Sequence, residues 1–400
     1  MLSEKACDST RRRPVDAAVY NARMIETLLG GMKPQQFLDE YWQKKPLLIR
    51  NAVPGFKGLL TPAQTKQLAC DDDVESRLVC ASGGHEDGGW QMLNGPLRKR
   101  DFPKSGAWTV LVQGLNLCLD EADELLRQFA FIPFTRLDDL MVSYATDGGG
   151  VGPHFDSYDV FLLQGLGQRR WQVSAQKNLE LVEGAPLRIL NNFKPSQEWI
   201  LEAGDMLYLP PKYAHNGVAI GECMTYSIGF RAPSARELSS AFLAFLEEKL
   251  ALEGLYADPD LRATPTPARI PDEMAERVTE MLSRIRWAQR DVTEFLGQYL
   301  SEPKPHVFFD SPQKELTPVT FKRTAMAGGI RLDLRTQMLY ATGKFFLNGE
   351  VVVIPANDAR VFRRLANERT LTQLEDVSDQ GWQLMAEWYA DGFIRLKDGH

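Results

Sequence analysis

The stretch GGGVGPHFDSYDVFLLQGLGQRRWQV, residues 148–173, sets a glycine-rich loop directly before two short apolar runs, DVFLLQ (159–164) and RRWQV (169–173). Further runs of the same kind lie close by: AWTVLVQGL (107–115), LMVSYA (140–145), MLYLP (206–210) and MTYSIGF (224–230). Each is strand-length, rich in β-branched and aromatic residues, and bounded by turn formers. Six such runs between about residues 105 and 231 predict an antiparallel barrel. A double-stranded β-helix, or jelly roll, buries the edges of such sheets and leaves a mouth in which a ligand can sit.

The loop itself carries the chemistry. In an extended segment, residues two apart share a face, so His154 and Asp156 can point together into the barrel. His215 follows another predicted strand, GDMLYLPP (204–211), and supplies a third donor. Two imidazoles and one carboxylate on one face of an ion, with the remaining positions open, form the facial triad of non-haem Fe(II) oxygenases. The open positions suit a 2-oxo acid that chelates through two of them and O₂ in the last. A His-x-Asp tripeptide alone is weak evidence, since a surface turn would explain it equally. It gains weight from the strands around it and from the other three histidines: His85 lies in a polar loop, His306 in a Pro-rich linker and His400 at the C-terminus. The glycines lack both the G-x-G-x-x-G spacing and the following helix of a nucleotide-binding loop.

A 2-oxo diacid needs a cation for its distal carboxylate, and guanidinium binds carboxylate bidentately while staying charged when buried. Arg169 and Arg170 sit on the run after the loop and must face opposite ways, so one of them can enter the barrel. Hydroxyls at Ser143, Tyr144 and Thr225 could add hydrogen bonds to the cosubstrate, or be satisfied as ordinary strand residues.

Outside the barrel the pattern is helical. KPQQFLDEYWQKK (33–45) precedes a short buried strand at 46–50, a second helix opens at Thr61-Pro62, and residues 83–106 read as an irregular surface segment. After Pro233 an apolar stripe (Leu238, Phe242, Phe245, Leu246, Leu250) marks a helix, and a longer helical pattern runs from Met274 to Leu296. A Pro-rich linker leads to a last module with a hairpin signal at Asn348-Gly349 and helices after Asn357 and Ser378, a winged-helix pattern. The expected division is a disordered lead-in (1–23), a barrel domain (24–233), a helical region (234–302), a linker (303–318) and the winged helix (319–400).

The chain has 400 residues and a formal net charge of -7, with 44% hydrophobic and 25% charged residues, the composition of a globular protein with no membrane segment. From residue 319 onward, eleven Lys and Arg face ten acids, so the winged helix lacks the basic footprint of duplex binding. The cysteines Cys7, Cys70, Cys80, Cys118 and Cys223 are odd in number, scattered and without Cys-x-x-Cys spacing, which suggests neither a disulfide framework nor a zinc ribbon and fits a cytoplasmic protein.

The segments FLDEYWQKKPLLIR (37–50), ACDDDVESRLV (69–79), RLDDLMVSYA (136–145), residues 148–173, GDMLYLPPKYAHNGVA (204–219) and MTYSIGFRAPSARELSSAF (224–242) together resemble, in this order, the JmjC-type ribosomal oxygenases of the cupin superfamily. The resemblance is strong over residues 24–250 and looser beyond. It implies an α+β chain: a JmjC jelly roll, a helical dimerisation region and a C-terminal winged helix. By position it puts the Fe(II) ligands on His154, Asp156 and His215, the 2-oxoglutarate arginine on Arg169, and a cosubstrate contact on Ser143. Thr225 stands where relatives carry Asn. The implied reaction uses O₂ and 2-oxoglutarate to hydroxylate an arginine side chain of ribosomal protein uL16, in a homodimer that does not bind nucleic acid directly. Asp147, before the glycines, could pair with the substrate arginine or be a turn aspartate. The rival readings are a histidine hydroxylase of the same family and a winged-helix binding protein without catalysis.

Overall fold

The computed structural model describes residues 27–81, 89–250 and 253–397. The expected lead-in at 1–23, together with Cys7, His85 and His400, lies outside them. The chain divides into two compact units, Met1–Ala232 and Pro233–His400.

In the first unit, helix α1 (Pro34–Glu40) is followed by β1 (Leu47–Ile49) and α2 (Pro62–Leu68). Thr61 caps α2 and exchanges hydrogen bonds with Gln64, satisfying amides that a helix start leaves open. Then come β2 (Ser76–Ala81), β3 (Trp90–Asn94), β4 (Trp108–Val112), α3 (Asp120–Arg127) and β5 (Leu137–Ala145). The unit closes with β6 (Val160–Ser174), β7 (Gln197–Leu201), β8 (Met206–Leu209) and β9 (Ala214–Phe230). All nine strands join one antiparallel sheet in the order β1-β8-β6-β9-β5-β4-β2-β3, with β7 also on β6.

DVFLLQ and RRWQV are one bent strand, not two. β6 pairs with β9 from Val160↔Gly229 to Ser174↔Ala214, and the register slips on both sides of Leu166. Gly167 makes the corner: its φ is +60°, and a Cβ there would stand 2.0 Å from the Glu222 carbonyl oxygen, a clash that only glycine avoids. Before the corner β6 carries β8, and after it β7. The bend turns the sheet over on itself, so its inner faces close around a cavity as a jelly roll requires. The strand β3, inside the segment expected to be irregular, pairs with β2 at the sheet edge. It is mostly exposed, as an edge strand paired on one side can be.

The core of this unit is aromatic. Phe37, Phe129, Phe161, Tyr208 and Phe230 are each no more than 1% exposed, and the ring centroids of Phe129–Phe161, Phe161–Tyr208 and Phe37–Tyr208 lie 4.8, 4.9 and 5.0 Å apart. A buried polar knot ties this core to the start of β6. The Tyr208 hydroxyl donates to Asp159 Oδ1 at 2.6 Å, and Gln43 Nε2 donates to Asp159 Oδ2 at 2.9 Å. Burial pushes the Asp159 carboxyl up in pKa, opposed by these donors and by Arg136.

In the second unit, α4 (Ala235–Lys249), α5 (Asp272–Leu282) and α6 (Gln289–Ser301) precede α7 (Pro318–Gly328) and β10 (Ile330–Leu332). The long helical pattern expected from Met274 is therefore two helices. The antiparallel strands β11 (Met338–Ala341), β12 (Lys344–Leu347) and β13 (Glu350–Val352) form a small sheet. Asn348 and Gly349 turn the β12–β13 hairpin with φ of 50° and 92°, as a two-residue hairpin demands. The helix α8 (Ala359–Glu368), β14 (Thr370–Leu371), α9 (Asp379–Ala390) and β15 (Ile394–Leu396) complete the unit, with β14-β10-β15 as a second sheet. The expected boundary at 302 cuts through packing: Ser301 Oγ at the end of α6 accepts from Gly349 N at 3.0 Å, and Glu294 of α6 binds Lys344 of β12.

Candidate metal centre

The glycine loop lies flat on β9. Gly148 N donates to Ala219 O at 3.0 Å and Ala219 N to Gly149 O at 2.9 Å. A Cβ on Gly150 would stand 2.5 Å from Gly217 O, so the backbone approach itself requires glycine. The sequence reading sets His154 and Asp156 at the start of a strand. Instead both lie before β6, His154 in an isolated bridge and Asp156 in loop. His154 alone pairs, by a two-way bridge to His215: His154 N to His215 O at 2.9 Å and His215 N to His154 O at 2.8 Å. The Asp156 carbonyl is held by Lys212 N at 2.8 Å. His215 follows β8, as expected, and is the second residue of β9.

The three side chains converge. Their ligand atoms all fall within 4.8 Å of one another, and His215 Nε2 is 3.6 Å from Asp156 Oδ2. His154 Nδ1 faces Gly152 O at 2.9 Å, and His215 Nδ1 faces Tyr213 O at 2.9 Å. A carbonyl oxygen can only accept, so both Nδ1 atoms carry the proton and both Nε2 lone pairs are left for a metal. Burial, with the adjacent His154 ring, depresses His215 to about 4, against a smaller opposing pull from Asp156 and the Tyr213 contact. It is therefore a neutral imidazole at physiological pH. The donor set fits a divalent first-row ion with open positions, since His154 and Asp156 are only half-buried and face a cavity of about 440 Å³.

Arg169 and Arg170 divide as strand alternation demands. Arg170 is exposed and lies 3.8 Å from Glu198, whereas Arg169 is 5% exposed and lines the cavity. Arg169 Nε donates to Cys223 Sγ at 3.3 Å, its guanidinium lies 5.7 Å from the Trp171 ring, and its Nη2 is buried with no hydrogen-bond partner among the described residues. A buried cation with an idle donor fits the carboxylate of a small acid.

Ser143 and Thr225 also line the cavity. Ser143 Oγ reaches Thr225 O at 3.4 Å, and Thr225 Oγ1 gives its proton to Gln164 Oε1 at 2.9 Å, so toward the cavity Thr225 can only accept. Tyr144 does not belong to the site. As the neighbour of Ser143 it faces the other way, its ring 5.4 Å from Trp108 and its hydroxyl on the Glu222 carboxylate. Asp147 is exposed, is not part of the cavity wall, and accepts from Gly221 N at 2.7 Å, closing the loop against β9. Thr109 and Trp171, which the sequence reading did not single out, each place a buried polar atom without a partner among the described residues in the wall of this cavity. The one available signal for Thr109 was a lone hydroxyl in an apolar run.

Residues 124–238 match the JmjC domain and residues 284–395 the ROXA-like winged helix. The chain is 32% identical over 327 residues to the ribosomal protein uL16 3-hydroxylase of Escherichia coli K12, spanning 81% of this chain and 86% of that protein. It is 40% identical over 232 residues to a probable ribosomal oxygenase of Haemophilus influenzae, 57% of this chain and 55% of that one. Among solved structures, E. coli YcfD superposes with a TM-score of 0.78 at 29% identity, covering 91% of this chain and 98% of that one. YcfD in complex with cobalt and 2-oxoglutarate superposes with a TM-score of 0.76 at 30% identity, covering 92% and 99%. With likeness running through both the jelly roll and the winged helix, the chain belongs to the JmjC ribosomal oxygenase family of the cupin superfamily.

Proposed function

We propose that this chain is an Fe(II)- and 2-oxoglutarate-dependent oxygenase that hydroxylates an arginine side chain of ribosomal protein uL16. The observation that carries the reading is the pairing, in one cavity, of three convergent ligand atoms with a buried arginine whose Nη2 lacks a partner among the described residues. His154, Asp156 and His215 would hold the iron, and Arg169 the distal carboxylate of the cosubstrate. Fe(II) so bound supplies the reduction of O₂ coupled to decarboxylation of 2-oxoglutarate to succinate. The protein's own part is orientation: the Gly152 and Tyr213 carbonyls fix the two imidazole rings. The E. coli relative named for uL16 supports the substrate, because the likeness spans most of both chains. A chain with a formal net charge of -7 suits a basic protein substrate and needs no nucleic-acid surface. The cytoplasm, where ribosomes work, is the proposed location; no helix among the described residues is long and apolar enough to cross a membrane.

The test is tandem mass spectrometry of uL16 and histidine-bearing ribosomal peptides after incubation with enzyme, Fe(II) and 2-oxoglutarate. Oxygen on a uL16 arginine is expected; oxygen on histidine would transfer the assignment to the rival specificity. Asp147 is proposed to pair with that arginine. Asp147→Ala is expected to raise KM for the arginine peptide by about tenfold, as the loss of a charged hydrogen bond would, with the uncoupled turnover of 2-oxoglutarate retained. An unchanged KM would leave Asp147 only its loop contact with Gly221.

The second unit is proposed to form a homodimer. Met274, Val278 and Leu282 form an apolar stripe on α5 and are 39%, 36% and 60% exposed, a face that a second copy would cover. Light scattering is expected to give twice the chain mass, shifting toward one chain mass in Val278→Glu; a monomeric parent protein would contradict this.

A further inference from the structure

We propose that Thr109 is a second anchor for the distal carboxylate of the bound 2-oxo diacid, its hydroxyl acting beside the Arg169 guanidinium; this rests on the cosubstrate reading above. The strand β4 reads Trp108-Thr109-Val110-Leu111-Val112, and every residue in it is buried. Thr109 is 0% exposed, and its Oγ1 has no hydrogen-bond partner among the described residues. Valine would fill the same space without a hydroxyl to satisfy, so the oxygen is costly unless something in the cavity meets it.

The sheet register shows where that something sits. Thr109 pairs with Ala145, and Ala145 with Cys223, so the three form one inward-facing row across β4, β5 and β9. Arg169 reaches this row from β6, with its Nε on Cys223 Sγ at 3.3 Å. The register partners of Thr109 and Arg169 are small: Ala145 and Ala219, which pack with Cys223 as one buried group. Small residues there leave room for a ligand end, and Thr109 and Arg169 line the same cavity as His154, Asp156 and His215. Two idle donors facing one space call for an acceptor-only group, and a carboxylate accepts from both. A neutral amide or alcohol could accept these bonds but would leave the buried guanidinium charge uncompensated.

The test is calorimetric titration of the full-length Co(II)-loaded protein with 2-oxoglutarate and with 2-oxopentanoate, which has the same chain length but no distal carboxylate. Thr109→Val is expected to raise the Kd of 2-oxoglutarate by about tenfold or more, the usual consequence of losing a hydrogen bond to a charged group. The Kd of 2-oxopentanoate should not change, and Thr109→Ser should restore the parent value. Equal weakening of both acids would mean a packing role and overturn the proposal, as would an unchanged Kd for 2-oxoglutarate, which would leave the hydroxyl to water. Thermal unfolding of each variant is measured alongside; should Thr109→Val not fold, the same comparison is made with Thr109→Ala. Parent protein that prefers 2-oxoglutarate no more than 2-oxopentanoate would instead refute the cosubstrate reading itself.

Discussion

Asp156→Ala is expected to abolish metal-dependent hydroxylation and to weaken Co(II) binding by well over the roughly 10- to 100-fold that loss of a group one step removed from a metal produces. The substitution takes away the only anionic donor of the three, leaving two neutral imidazoles to hold a divalent ion. It leaves the backbone contact intact, because Lys212 N bonds to the carbonyl of residue 156 and not to its side chain. Asp156 is partly open to the cavity, so the fold should not suffer, and removal of a carboxylate that faces a buried histidine at 3.6 Å leaves no stranded cation. Calorimetry with Co(II) and thermal unfolding together check the claim. Metal affinity within severalfold of the parent, or a large drop in unfolding temperature, would show that Asp156 does something other than bind the ion.

Arg169→Leu has the second largest expected effect, and it falls on the cosubstrate rather than the metal. Removing one partner of a buried charge pair typically costs about 2–5 kcal/mol, a rise in Kd of roughly 30- to several thousand-fold. The Kd for 2-oxoglutarate should rise by about that much, with Co(II) affinity in the absence of cosubstrate unchanged. Arg169→Lys should recover only part of the loss, since an ammonium cannot present the two parallel donors of a guanidinium. Stability should move the other way. Without ligand, Arg169 is a buried cation with one nitrogen unpaired among the described residues, and an apolar replacement of similar size removes a desolvated charge, so the unfolding temperature of the apo protein should hold or rise. Loss of cosubstrate binding together with loss of the fold would contradict this division of roles.

How much of this was legible beforehand depended on whether local pattern or long-range pairing decided the matter. That only one of Arg169 and Arg170 could face the cavity followed from alternation, while the resemblance pointed to Arg169, and the helix start at Thr61 followed from an N-cap residue directly before a proline. The unity of β6 was not legible, because the bend at Gly165-Leu166-Gly167 reads as a turn in sequence and becomes a corner only when Glu222 of β9 packs against it. The triad was found by treating residues 154–156 as strand. The grouping holds although the segment is loop, because the bridge from His154 to His215 orients it as a strand would. Tyr144 was included on chemistry without regard for the face it occupies, and Asp147 cannot be placed against the cavity by sequence because its partner, Gly221, lies 74 residues away. Thr109 was hidden for a different reason: a threonine in a strand is ordinary, and its idle hydroxyl appears only once every neighbour is known.

The most direct test of the central claim is the intact mass of a uL16 peptide after incubation with the enzyme, Fe(II), 2-oxoglutarate and isotopically heavy dioxygen. The peptide is predicted to gain one labelled oxygen on arginine, with one succinate formed for each and neither product made by Asp156→Ala. Succinate without label in the peptide would contradict the substrate assignment, and labelled peptide from Asp156→Ala would contradict the metal centre itself.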